Sequence, residues 1–214
     1  MRHTLAGLLL SLSVLPAAAL CAQDFEGTIT VRMATGRNGE PAPDLEYLAR
    51  GGKVRINARS PMGSMAMIAV PAEKKLYTLL DAQSAYMEQP LSLDGARGST
   101  ANTPAPTVTR TGRKETIAGY ECEHILIGGQ QGNTDVCMAR GLGPFFAATA
   151  GIGAAMPAWQ RALIADGGFP LKVSRADGTT QLEVTKIERK KLNDALFTVP
   201  EHYTKMEMPT GRRG

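Results

Sequence analysis

From Phe25 to Met33 the chain alternates: Phe25, Gly27, Ile29, Val31 and Met33 fall on one side, Glu26, Thr28, Thr30 and Arg32 on the other. Successive side chains of a strand point to opposite faces, so this pattern predicts a half-buried β-strand. The alternation returns at Leu45, Tyr47 and Ala49. After the turn pair Gly51-Gly52 it returns again at Val54, Ile56 and Ala58, set against Lys53, Arg55, Asn57 and Arg59. Met65–Val70, Leu76–Leu80 and Ala85–Gln89 follow at short spacing, divided by the turn runs Pro71-Ala72-Glu73-Lys74 and Asp81-Ala82-Gln83-Ser84. Thr107–Ile117, Tyr120–Ile127, Thr134–Ala139, Phe169–Ala176 and Thr180–Glu188 bring the total to about ten or eleven strands. Few connections are long enough for a parallel crossover. The predicted fold is therefore mainly β with a few helices: an open antiparallel β-barrel, or half-barrel, with short helices covering the concave face.

Two stretches break the pattern. Residues 92–106 are Gly, Ser, Thr, Ala, Asn and Pro for the most part and predict a flexible loop, with no closed strand set on either flank to make it a domain boundary. Residues 141–160 carry no charge and include Phe145, Phe146, Ile152, Met156 and Trp159. Pro144, Pro157 and several glycines argue against a membrane-spanning helix there. Pro157 can open a helix that places Trp159, Ala162 and Leu163 on one face and stops at Gly167-Gly168. Residues 141–167 are thus predicted to form a helical lid.

At the N-terminus, Met1-Arg2-His3 precedes an uncharged leucine-rich run, Leu5 to Leu15, then Pro16 and Ala17-Ala18-Ala19. That order is the anatomy of a cleaved secretory signal. Cleavage is expected after Ala22, with Ala19 the alternative, leaving residues 23–214 as one β domain in the periplasm without a transmembrane anchor. Lipidation at Cys21 is the weaker alternative, because Ala18 and Leu20 occupy positions where a lipobox wants a leucine and a small residue.

Once Cys21 is gone, Cys122 and Cys137 remain, an even count for an oxidising compartment. They lie on strands flanking Gly128-Gly129-Gln130-Gln131-Gly132-Asn133. Setting them opposite each other centres the turn on Gly129-Gln130 and predicts a cross-strand disulfide, favoured over a redox or metal-binding pair because neither a CxxC nor flanking ligands accompany them. The same register sets His124 opposite Asp135, read as a cross-strand ion pair with no nucleophile to serve.

Charge narrows the function. The chain has 24 basic and 20 acidic residues, and loss of Arg2 with the signal leaves 23 against 20. The basic residues are scattered, and aromatics are only 5%; a nucleic-acid groove wants clustered charge with stacking rings, so none is expected. The mature chain keeps only His124 and His202, and no HExxH, GxSxG or paired-carboxylate pattern occurs. The expectation is a non-enzymatic protein with no cofactor. Methionines offer one metal alternative: Met62, Met65 and Met67, with Met206 and Met208, supply thioethers suited to copper(I). Met65 and Met67 share one strand face and serve equally well as apolar wall residues.

The runs VPAEKKLYTLLDAQSAYMEQPL, IAGYECEHILI, GGFPLKVSRADG and LNDALFTVPEHY, in that order behind a signal peptide, carry a resemblance. The chain resembles a periplasmic family of unknown function in the superfamily of the lipoprotein carriers LolA and LolB. The resemblance implies an unclosed barrel with helices plugging its mouth and an apolar cavity for acyl chains, or a surface for an envelope lipoprotein. None of the carriers' functional residues maps onto a position of this chain. The cavity or lid residues expected here are Met65, Met67, Phe145, Phe146, Ile152, Met156, Trp159 and Leu163, with a lipid or other hydrophobic molecule as partner.

Overall fold

Every predicted strand forms. In the computed structural model, which describes residues 25–34, 44–60, 63–91, 107–129, 132–143, 145–146 and 167–207, they are β1 (Gly27–Met33), β2 (Leu45–Arg50), β3 (Lys53–Ser60), β4 (Gly63–Val70), β5 (Lys75–Leu80), β6 (Ala85–Pro90), β7 (Thr107–Ile117), β8 (Tyr120–Gly129), β9 (Gly132–Ala139), β10 (Phe169–Arg175), β11 (Thr180–Arg189) and β12 (Thr204–Lys205). They join in one open sheet ordered β12-β6-β5-β4-β3-β2-β1-β11-β10-β9-β8-β7. The seam between β1 and β11 joins residues some 160 positions apart, such as Gly27 and Arg189.

The all-antiparallel expectation needs correcting. β12 lies parallel to β6, so the sheet is mixed, and β7 and β12 are its two free ends. Among the described residues there is no α-helix, only short 3₁₀ turns, and no helix is long and apolar enough to cross a membrane. The described parts of the expected lid, 141–143, 145–146 and 167, are not helical; the rest of it and the loop 92–106 lie outside the described residues.

Register turns the alternation into two faces. Ile187, Ile29, Tyr47, Ile56, Met67, Thr78 and Met87 form a continuous cross-strand row on one face. The row Thr28, Leu48, Arg55, Ile68, Tyr77 and Glu88 lies on the other. The first face carries the main core. Tyr47 on β2 and Phe169 on β10 meet edge to face at 5.1 Å, although three strand spacings of about 4.8 Å would set their backbones about 14 Å apart in a flat sheet. The sheet therefore curls, with the first face concave.

The predicted turns are built alike. Pro71–Glu73 and Asp81–Gln83 form single 3₁₀ turns, closed by Lys74 and Ser84 in the left-handed conformation. The C-terminal segment leaves β11 and crosses the convex face, where Leu192 and Phe197 bury against Leu48, Ile68 and Leu79. Asn193 caps its 3₁₀ turn by accepting from the Ala195 N–H at 3.0 Å. The Tyr203 hydroxyl then donates to Asp81 at 2.8 Å, and Thr204 and Met206 donate to the carbonyls of Ser84 and Tyr86. These bonds cover the backbone edge of β6, which an unpaired strand would leave open to other chains.

Candidate functional site

The concave face has two parts. At its centre Phe145 packs on Phe169 at 5.3 Å and on Tyr47 at 6.4 Å, with Leu142 fully buried among the same core residues. Phe145 is 9% exposed and serves as an aromatic plug, while Phe146 is half-buried at its edge. The Phe146 N–H donates to the Tyr47 hydroxyl at 3.2 Å, which anchors this irregular strap to the sheet. Burial drives the Tyr47 phenol pKa far above its ordinary value, so this acceptor stays neutral.

Beyond the plug the face changes character. Ala58, Met65 and Leu80 are direct cross-strand neighbours, and all three are half-buried. Leu45, Met33 and Met87 extend this half-buried apolar band across β1–β6. Met65 sits in the band, whereas Met67 is 6% exposed and belongs to the core. Of the other expected cavity residues, Ile152, Met156, Trp159 and Leu163 lie outside the described residues. So do Met62 and Met208 of the methionine groups. Met206 is exposed just after β12, two intervening strands away from β4.

The convex face carries a polar cluster on β7–β10. The disulfide Cys122–Cys137 forms, with Cα atoms 5.3 Å apart, but its register differs from the expected one. Gly129 pairs with Gly132, so His124 faces Cys137 and Leu126 faces Asp135. The hairpin closes one residue later than a cysteine-opposed register requires. A one-residue move of the turn keeps every side chain on its face and shifts each partner by two. The bridge and the His124–Asp135 contact therefore both form diagonally.

His124 is buried, with Nδ1 2.8 Å from Asp135 and Nε2 3.1 Å from Glu115. Arg113 contacts Asp135 and also approaches Nδ1 at 2.7 Å. The proton on Nδ1 decides between those contacts: a protonated Nδ1 donates to Asp135, a bare one accepts from Arg113. Lys172 Nζ lies 3.6 Å from Glu115. His124 and Cys137 line a cleft of about 710 Å³ with Arg113, Glu115, Asp135 and Lys172. Glu115, Arg113 and Lys172 went unnoticed in the sequence. The tight turn at Ala118 and Gly119, both at positive φ, sets the register that places Glu115 opposite Cys122.

A family model described as "Domain of unknown function (DUF4412)" matches residues 25–203. No curated protein sequence matches the chain. Among solved structures, an uncharacterized conserved protein from Thermus thermophilus superposes with a TM-score of 0.50 at 11% identity, covering 86% of this chain and 91% of that one. A structure titled "Structure of PNGF-II in C2 space group" gives a TM-score of 0.50 at 14% identity, covering 86% of this chain and 31% of that one. At such identities the likeness is one of fold alone.

Proposed function

The chain belongs to the DUF4412 family, and we propose that it is an exported, non-enzymatic protein that holds a lipid acyl chain, or a similar hydrophobic ligand, against the concave face of its sheet. In this reading the sheet is an open half-barrel of the kind found in the LolA and LolB carriers, and the mature chain works in the periplasm. The supporting observation is the half-buried apolar band of Leu45, Ala58, Met65 and Leu80 beside the aromatic plug. A fully packed core would bury those side chains, and a solvated face would make them polar.

Each methylene removed from water there contributes about 0.8 kcal/mol before the cost of association. Methionine suits such a wall, because its unbranched thioether adapts to ligands of differing shape. The disulfide fits export, since such bridges persist in oxidising compartments.

The test uses the purified mature protein, fatty acid or phospholipid, and the emission of Trp159, the single tryptophan. Emission should shift and saturate near one equivalent. Met65→Asp and Phe146→Asp should weaken binding at least tenfold, because an unpaired carboxylate beside an acyl chain loses its hydration. Native mass spectrometry should show the lipid adduct. Absence of any adduct, with identical lipid titrations for both aspartate variants and the parent protein, would exclude this function.

A further inference from the structure

We propose that Cys122, Cys137, His124 and Glu115 form a redox-gated site for a zinc-class divalent cation, closed while the disulfide is intact and opened when a dithiol reduces it. The site lies on the convex face and is independent of the apolar band.

Strand register assembles the four side chains. Glu115 faces Cys122 across β7 and β8, and His124 faces Cys137 across β8 and β9, so all four share one face of three adjacent strands. The ligand atoms of Glu115, His124 and Cys137 all lie within 4.8 Å of one another, and the Cys122 sulfur is bonded to that of Cys137. Tetrahedral zinc holds sulfur at about 2.3 Å and nitrogen or oxygen at about 2.0–2.2 Å, which sets neighbouring donors roughly 3.3–3.8 Å apart. Shifts of about 1 Å would close this set around one ion.

The outer partners fit as well. The 3.1 Å contact of Nε2 with Glu115 needs a proton on Nε2, since both atoms are otherwise acceptors. A bound cation would take that proton's place, and an Nδ1 proton would then be donated to Asp135. This carboxylate–histidine relay is the usual way a zinc ligand is oriented and made more basic. Charge supports the same state. With the bridge closed, Glu115 and Asp135 are matched by Lys172 and Arg113, while neighbouring Lys114 is engaged by Glu121. Arg175 also lines the cleft, so the cluster starts with one positive charge in excess; two thiolates would take it to one negative, and one divalent cation returns it to its starting charge.

The two states exclude each other, because sulfurs joined to one another cannot both be thiolate ligands. Reduction transfers two electrons and two protons from the dithiol to the Cys122–Cys137 bond, and the dithiol leaves as its own disulfide. Each thiol then loses its proton to solvent on ligation. Cys137 borders the 710 Å³ cleft, but Cys122 and Cys137 are only 2% and 1% exposed, so a dithiol reaches the bridge when the β8–β9 hairpin opens locally.

The experiment titrates cobalt(II) and zinc(II) into mature protein reduced by a dithiol and freed of it under anaerobic conditions. Reduced protein should bind one equivalent, with a thiolate-to-cobalt charge-transfer band and slowed alkylation of both cysteines. Oxidised protein and the Cys122→Ser/Cys137→Ser double variant should show no such band. His124→Ala and Glu115→Gln should weaken binding at least tenfold, and Asp135→Asn about 10- to 100-fold through the orienting bond. His202→Ala, on an exposed histidine elsewhere, should change nothing. Binding by reduced protein no tighter than by the double serine variant overturns the proposal. So does tight binding indifferent to Glu115→Gln and Asp135→Asn, the behaviour of two thiols in an unfolded chain.

Discussion

Gly27→Ala tests the long-range seam on which the whole sheet depends. Gly27 opens β1 opposite Arg189 of β11 with φ of 156°. A Cβ built there would sit 2.0 Å from the backbone carbonyl oxygen of Glu188. Non-bonded carbon and oxygen approach no closer than about 3.3 Å, so the strands must part by about 1.3 Å. The obstacle is backbone, and no side-chain rotation relieves it. Such a separation stretches neighbouring ladder bonds past the useful limit, losing about one or two at about 1 kcal/mol each. Overpacking adds about 1–3 kcal/mol. The expected loss is therefore about 3 kcal/mol, a large share of the 5–15 kcal/mol typical of a domain. For a domain of this size that corresponds to a fall of roughly 6–12 °C in Tm. Urea unfolding followed by far-ultraviolet circular dichroism reads it as a lower midpoint at unchanged slope. Gly128→Ala on β8 is the control, since its Cβ would meet nothing closer than 3.5 Å, and it should stay within about 0.5 kcal/mol. Equal midpoints for the parent and Gly27→Ala proteins would refute the close approach of β1 to β11.

Three further outcomes are expected. Phe197→Ala removes the 2%-exposed ring that the C-terminal segment buries on the convex face, and should cost about 3–5 kcal/mol in the same unfolding assay; a loss below about 1 kcal/mol would place that segment off the sheet. Alkylation of unreduced mature protein should label neither Cys122 nor Cys137, and quantitative labelling of both would disprove the bridge. The Asp177 carboxyl is held below its ordinary pKa, chiefly because it accepts from the Thr179 N–H. Its lowered folded-state pKa makes its contribution present above about pH 4 and lost as pH falls through the folded value. Asp177→Asn should therefore flatten the acid limb of stability against pH, and an unchanged limb would contradict the assignment.

Eleven of the twelve described strands, the two faces of β1, β2 and β3 and the turns at Gly51-Gly52, Pro71–Lys74 and Asp81–Ser84 were legible in the sequence. Those features are local: a period of two and residues suited to tight turns set them within a few positions. The pairing of cysteines was legible as well, because only Cys122 and Cys137 lie outside the expected signal peptide. Their partners were not, since a turn displaced by a single residue leaves the polar pattern intact while moving His124 from Asp135 to Cys137. The parallel addition of β12 to β6 was hidden for a similar reason. Two residues carry no periodic signal, and their pairing rests on Tyr203 reaching Asp81, 122 positions away. Tertiary structure alone likewise decided that Phe145 is a core plug while Met65 stays half-buried. Both are simply apolar in sequence, and burial depends on the curl of the sheet that brings Phe169 to Tyr47. It also decided that Glu115, His124 and the disulfide share one face, because that meeting requires three strands in register at once.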